Sequence, residues 1–352
     1  MNDPLQPFAA WRGAGEPFAV ATVIKVEGSA PRGEGAQMLV SITGKISGSV
    51  SGGCVEAAVA EEAQSVLASK IPKVVRYGIN RNMMWDVGLS CGGAIEVFVE
   101  PDDAFDRCAP AENNSRAWAL CTIVRGRDIG RKLVVGDDGQ AAGNIGDPSI
   151  SQVIVTAALK QIAERRSGTE SFTGCDVFID VVLPQARLVI VGAVHVAVAL
   201  CDFASRAGFS VTIVDPRAKL NNTERFPTAV SLIVGWPEAA LPTVGFDENT
   251  YVAVLTHDEK FDDPTLDIVL RSRARYVGAI GSKKTQQLRR TRLEQAGFAL
   301  SNIDRLHAPI GLDIGAESPE EIAVAILAEM IAAKYGHGGE PLKNRNRESI
   351  HA

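Results

Sequence analysis

Two cysteines in the first third of the chain sit on glycine turns, which can bring backbone and a thiol close to a ligand. Cys54, in SVSGGCVE, follows Gly52 and Gly53 where a strand-turn enters a helix. Backbone amides at a helix start favour anions and lower a thiol's pKa, which makes Cys54 a candidate thiolate. A small buried residue at a helix–sheet junction is the other reading. Glu56 falls in the first helical turn, where it takes a proton or caps, and a cap is the expectation. Cys91, in LSCGGAIEV, precedes a second glycine pair able to bring backbone close to a ligand. Two such turns suggest a shared pocket. Arg32, in SAPRGEGAQM, lies on a glycine-rich turn, where it either clamps a phosphate or carboxylate or is solvated. A metal held by protein alone needs four ligands, and no His/Cys set is spaced for that, so structural zinc is disfavoured.

The second half carries a different set of loops. VGAVHVA stands where a dinucleotide fingerprint reads G-x-G-x-x-G/A, and Asp215 follows the next strand at the spacing of a ribose contact. Gly192 and Ala197 fit the first and third places, but Val194 fills the second, where a branched side chain obstructs a pyrophosphate. NAD(P) is disfavoured on that ground. His195 is either a residue of the helix start or an imidazole over a ligand crevice. Further loops fall at the predicted carboxyl ends of parallel strands: THDEKFDD with His257, Asp258 and Asp262; GAIGSKKT with Gly281, Ser282 and Lys283; APIGLDIGAESPEE with Gly311 and Asp313. GSKKT offers amides, a hydroxyl and cations to a phosphate, or is simply a capped helix with solvated lysines.

The elements that must position these residues can be read from periodicity. Residues 186–193, 209–215, 231–236, 250–257 and 274–281 are strand-like apolar runs alternating with helical patterns, beginning with a helix over 195–208. This predicts a doubly wound parallel sheet. A last helix has Ser318 as N-cap, Pro319 at its first position, Glu321 closing a capping box and Gly336 as its stop.

The N-terminal half repeats itself. Residues 19–26 resemble 119–126, 35–50 resemble 130–145, and 96–101 resemble 176–184, with helices expected near 55–69 and 150–166. The two copies, about 14–101 and 116–183, should form one composite α/β unit. Copy two has a shortened loop, NIGDPSI and FTGC where copy one has SAPRGEGAQM, SVSGGCVE and SCGG. Chemistry is therefore expected in copy one, the alternative being random divergence after duplication. The expected division is 1–183, 184–336 and a loosely ordered tail at 337–352.

At 352 residues the chain exceeds the size at which one core keeps growing, about 250–300 residues, so two or three domains are expected. A net charge of −6 with no basic run longer than two residues gives no footprint for nucleic acid. No apolar stretch approaches a membrane span, no secretory signal is present, and the six scattered cysteines form no CxxC pair. Reduced thiols in the cytoplasm are the expectation.

Taken in order, PRGEGAQMLV, SGSVSGGCVE, SCGG, VGAVHVA, VDPR with RFP nearby, LTHD, YVGAIGSKK and APIGLDIGAESPEEIAVAILAE resemble the XdhC/CoxI family of xanthine dehydrogenase accessory proteins, from about residue 14 to 334. The resemblance implies a Rossmann-like C-terminal domain and a cofactor chaperone rather than a self-sufficient enzyme. It implies that molybdenum cofactor, as molybdopterin or its cytosine dinucleotide form, is bound and protected. Sulfuration with a cysteine desulfurase and delivery to a xanthine-dehydrogenase-like molybdenum hydroxylase would follow, with a homodimer as the assembly. Cys54 or Cys91 would meet molybdenum or accept sulfur, and phosphate would lie near Gly281 and Ser282. The family usually has glycine where Val194 stands, which puts that loop's phosphate contact in question. Two competing readings remain: an NAD(P)-binding oxidoreductase, and an interaction scaffold without bound cofactor. A thiol enzyme at Cys54 lacks an identifiable histidine base or resolving cysteine.

Overall fold

The computed structural model describes residues 10–78, 93–102, 116–256 and 258–344. The chain divides between Pro184 and Gln185 into two compact units. In the first unit, copy one contributes β1 (Phe18–Glu27), β2 (Gln37–Ser41), β3 (Ile46–Gly48), α1 (Glu56–Ser69), β4 (Lys73–Gly78) and β5 (Ala94–Pro101). Copy two contributes β6 (Trp118–Gly126), β7 (Lys132–Gly136), β8 (Ala141–Asn144), α2 (Pro148–Glu164), β9 (Gly168–Phe172) and β10 (Cys175–Val182). The sheet orders are β3-β2-β1-β5-β4 and β8-β7-β6-β10-β9, antiparallel throughout, so the repetition read in the sequence is a repetition of architecture.

Each sheet buries one face under its own helix. Ala19, Ala21 and Val23 of β1 pack with Val59, Ala63 and Val66 of α1, and the equivalent cluster in copy two centres on Ala119, Cys121, Ile154 and Ala158. The other faces meet each other through Ile24 and Phe98 of copy one and Val124 and Phe178 of copy two. With both faces covered, β1 is apolar over most of its length instead of alternating. Polar links cross the same junction. The Thr169 hydroxyl donates to the Ile24 carbonyl at 2.7 Å, and Arg125 pairs with Glu96 at 2.6 Å. Lys132 Nζ lies 2.7 Å from Glu100 Oε1 and also donates to Thr122 Oγ1, with the Lys132 and Glu100 side chains only 2% and 3% exposed.

The second unit is the expected parallel sheet. Its strands are β11 (Arg187–Val191), β12 (Ser210–Val214), β13 (Ser231–Ile233), β14 (Thr250–Val254), β15 (Tyr276–Ala279) and β16 (Leu306–His307), in the order β13-β12-β11-β14-β15-β16. Helices α3 (His195–Arg206) and α7 (Pro319–Tyr335) lie on one face around Leu188, Leu200, Ile213 and Ile326. Helices α4 (Pro237–Val244), α5 (Glu259–Leu270) and α6 (Lys283–Gln295) supply the other, around Val189, Leu241, Leu266 and Leu293. Strands β13, β14 and β15 end two or three residues earlier than their apolar runs, because the chain leaves the ladder at the carboxyl edge to form turns. The capping box of α7 forms as read: Glu321 N donates to Ser318 Oγ at 3.2 Å, Ser318 N donates to Glu321 Oε2 at 3.0 Å, and Gly336 closes the helix in the left-handed region. Among the described residues no helix is long and apolar enough to cross a membrane.

The buried Lys132–Glu100 pair joins the two copies, and removing one partner strands the other charge. Lys132→Met should lower the unfolding free energy by about 3–5 kcal/mol in urea titration, while Lys132→Met with Glu100→Leu should recover most of it.

Candidate functional site

In copy one, three segments singled out in the sequence converge. A Cβ on Gly52 would touch Pro31 Cβ at 3.5 Å, which places the Arg32 turn beside the Cys54 loop. Gly93, the end of SCGG, lies so close to the chain at Glu27–Ser29 that a Cβ there would come within 2.2 Å of the Ser29 carbonyl oxygen. Cys91 itself lies outside the described residues, as does His257. Gly52 and Gly53 both have left-handed φ, +78° and +117°, which a residue with a side chain adopts only under strain. Cys54 is partly buried against the core of copy one, and its amide donates to Ser51 Oγ at 3.1 Å.

The charge that organises this loop belongs to Glu56. Its Oε1 accepts from the Ser49 hydroxyl and from the amides of Val50, Ser51 and Gly52. Its Oε2 accepts from the Ser51 hydroxyl and from the amides of Gly53 and Val55. Burial pushes the carboxyl pKa up, but the Ser49 and Ser51 hydroxyls and the backbone donors outweigh it and hold the group down at about 2. Glu56 is thus an ionised core for the turn at neutral pH, and it stands as the capping anion that the sequence suggested. The amides expected to favour a Cys54 thiolate are directed at this carboxylate instead.

In the second unit the parallel topology brings the other expected residues to one carboxyl edge, and most of them hold the edge together. Asp215 is fully buried, with Oδ2 accepting from Ala193 N at 2.7 Å and Arg217 Nη2 at 2.6 Å, and Oδ1 from Arg217 N and Nε. Burial raises its pKa, yet Arg217 and these amides leave it below the usual carboxylate range. Each oxygen already serves two donors, which differs from the open acceptor a ribose contact requires. Gly192, at φ +106°, passes so close to β14's exit that a Cβ would meet Thr256 Cγ2 at 2.5 Å. Val194 is the N-cap of α3 and packs against the core.

His195 is exposed and lines a cavity of about 590 Å³ with Phe203, Arg225, Phe226 and Glu320. Ser282 caps α6 by accepting from Thr285 N at 3.2 Å, beside Gly281 and exposed Lys283. Asp258 caps α5 through Lys260 N at 3.0 Å. Asp262, read from the sequence as part of a ligand loop, is a buried ion-pair partner of Arg289 that also accepts from Thr256. Gly311, at φ +100°, donates its amide to Glu329 Oε2 at 2.8 Å, and Asp313 is exposed.

Sequence reasoning missed Arg225 and Glu329. Arg225 Nη1 donates to the Ala193 and Leu220 carbonyls at 2.8 Å, fixing the turn before α3. Glu329 accepts from the Tyr276 hydroxyl and stands 3.2 Å from His307 Nδ1. The available signal for Glu329 was an acidic residue inside the otherwise apolar run AVAILAEMIAA. Among the described residues no group of His, Cys, Asp and Glu could hold a metal ion by itself.

Comparison with known proteins fits this architecture. Residues 188–330 match the XdhC Rossmann domain, and residues 11–78 and 111–173 match the XdhC and CoxI family. A Bacillus subtilis protein described as a probable xanthine dehydrogenase subunit is 28% identical over 91% of this chain and 94% of its own. The molybdenum cofactor insertion chaperone PaoD of Escherichia coli is 27% identical over 91% of this chain and 85% of its own. The uncharacterized Escherichia coli protein YqeB is 27% identical over 95% of this chain, which spans only 47% of that longer relative. A crystal structure described as a xanthine dehydrogenase of Bacillus halodurans superposes with a TM-score of 0.73 at 27% identity, covering 99% of this chain and 98% of that one.

If Glu56 holds the loop, Glu56→Gln should loosen it, because an amide places a donor against Gly53 and Val55. Alkylation of Cys54, followed by peptide mass spectrometry, should speed up at least about threefold. With the folded-state pKa depressed, the stabilisation from Glu56 is complete above the ordinary value of 4.5 and lost as pH falls towards about 2. The Cys54 rate, corrected for thiolate fraction, should therefore be flat above that range in the wild-type chain.

Proposed function

Because the chain belongs to the XdhC and CoxI family, we propose that it is an accessory protein that binds molybdenum cofactor as cargo, shields it and passes it to a xanthine-dehydrogenase-like molybdenum hydroxylase. The observation that carries this reading is the convergence of the Arg32 turn, the Gly52–Gly53–Cys54 loop and Gly93 on one side of copy one. Glycines let the backbone approach a large ligand, a thiol suits molybdenum or sulfur, and a guanidinium suits a phosphate. Copy two has a shorter loop there: Gly35 and Gly130 occupy equivalent turn positions, but six residues lie between Ile123 and Gly130 where eleven lie between Val23 and Gly35.

In this reading Cys54 meets the molybdenum or receives sulfur from a cysteine desulfurase, Cys91 is the second candidate thiol in the sequence, and Arg32 engages the cofactor's phosphate. At the carboxyl edge of the second unit, taken by itself, Gly192, His195, Gly281, Ser282, Lys283, Gly311 and Asp313 are the candidate cofactor-binding residues. Ser282 and Asp258 act there mainly as caps, and their amide turns rather than their side chains offer donors. The saturated oxygens of Asp215 and the side chain of Val194 weigh against NAD(P). Copies of the chain would pair as homodimers in the cytoplasm, and the exposed apolar stripe Val324, Ile331 and Tyr335 on α7 supports that assembly.

The test is purification from cells that make molybdenum cofactor, with molybdenum and oxidised pterin quantified per chain. Wild-type protein should carry near-stoichiometric pterin, and Cys54→Ala should retain at least about tenfold less while remaining folded. Absence of pterin from a wild-type chain that still binds the client apoenzyme would replace this reading with that of an interaction scaffold.

A further inference from the structure

The duplication supplies its own control experiment at the junction of the two copies. In copy one, Thr22 pairs with Gln37 and Val20 with Glu100; in copy two, Thr122 pairs with Lys132 and Leu120 with Asp180. Glu100 and Asp180 are therefore equivalent positions, as are Gln37 and Lys132. Lys132 of copy two crosses the junction to pair with Glu100 of copy one. The mirror-related position facing Asp180 is Gln37, which carries no charge, and all four side chains belong to the same narrow polar layer, where Thr22, Gln37, Glu100, Thr122 and Asp180 line one small cavity. Asp180 accepts from the Ser167 hydroxyl at 3.1 Å. Burial pushes its pKa up to about 6, against the pull of Ser167 and the more distant Lys132.

The element lying on this carboxyl is the Arg32 turn of the other copy. A Cβ on Gly35 would stand 2.9 Å from Asp180 Oδ1 and 3.5 Å from Ser167 Oγ. Gly35 closes the turn: its amide donates to the Val23 carbonyl at 2.8 Å, and Val23 N donates to the Ala36 carbonyl at 2.9 Å. Glu34, next to it, is itself half-buried, accepts from Val26 N, and has its pKa raised by burial. The charged groups around Asp180 are thus Lys132 from β7, Glu100 from β5 and Glu34 from the turn, with Arg166 and Lys25 acting on Glu34.

We propose that Asp180 is a positioning residue for the Arg32 turn, seating it when the carboxyl is neutral and releasing it when the carboxyl is ionised. The sign follows from linkage. A closed turn that shields the half-buried Asp180 carboxyl from water favours its protonated form, so protonation favours the closed turn and ionisation favours an open one. With the pKa raised from 3.8 to about 6, the gain from closure is complete below the lower value and lost as pH rises through the upper one. Asparagine would avoid that loss altogether, yet the chain carries an ionisable group where the position equivalent to Lys132 is the uncharged Gln37. The consequence for cargo rests on the function proposed above, because the turn that opens is the one bearing Arg32; the opening itself does not.

The test is hydrogen exchange of the peptide spanning residues 29–37 in the full chain, corrected for intrinsic rates, at about pH 5 and about pH 7.5. In the wild-type chain the Gly35 amide should lose protection at the higher pH by at least about fivefold, with about tenfold as the ceiling between these two pH values if the whole shift comes from the turn. Asp180→Asn should stay protected at both pH values. Gln37→Lys, which restores the missing cation, should move the transition at least about one pH unit lower. Gly35→Ala, whose Cβ overlaps the carboxyl, should be unprotected at both. A wild-type chain with no transition, or a transition that persists in Asp180→Asn, overturns the proposal. Pterin retention measured across the same range separates the two readings. A chain that carries no pterin sinks the cofactor function and leaves the exchange result standing, whereas retained pterin with flat exchange sinks the role of Asp180 alone.

Discussion

A five-stranded antiparallel sheet with one helix covers only one of its own faces, and the N-terminal unit is organised by the need to cover the other. The second copy meets that need, so Ile24, Phe98, Val124 and Phe178 form a layer that neither copy could bury alone. Everything polar at the junction must then be satisfied across it. Lys132 and Glu100 do so as a buried pair and Thr169 does so through the Ile24 carbonyl, while Asp180 is held from within its own copy by Ser167. The Arg32 turn leans on Asp180, which ties the geometry of copy one's loops to a copy that carries no such loops.

Both candidate regions are built around internal anions. Glu56 draws the amides of the Cys54 loop onto itself, and Asp215 draws Ala193 and Arg217 onto the turn before α3. Loops fixed in this way are held in shape before any ligand arrives, which reduces the ordering cost of binding. Such a loop positions its neighbours without itself offering those amides to the ligand. For Cys54 the result is a thiol on a fixed turn at the edge of a core, with Pro31 of the Arg32 turn beside Gly52.

Local signals carried well from sequence to structure. The βαβ start at residues 186–215, the capping box at Ser318 and Glu321, and the repetition of one copy in the other are all set by periodicity, caps and repetition within short windows. The candidate site was legible only as a set of turns. That the Gly52 loop meets Pro31, that Gly93 seats against Ser29, and that Asp180 lies beneath Gly35 depend on contacts between distant segments, and no spacing rule encodes them. Asp215 and Ser282 fit ligand motifs by spacing and proved to be partners of their own loops, because the fingerprint records position and says nothing of whether an acceptor is already occupied.

In the function proposed for this chain, the converging turns of copy one hold the cargo against Cys54. This is tested most directly by the rate at which iodoacetamide labels Cys54 when the cofactor-free chain is mixed with molybdenum cofactor released from a purified molybdoenzyme. Labelling of Cys54 should slow at least about tenfold while the buried thiols Cys175 and Cys201 are unaffected. Equal labelling of Cys54 with and without a cofactor that demonstrably co-elutes with the chain would contradict it.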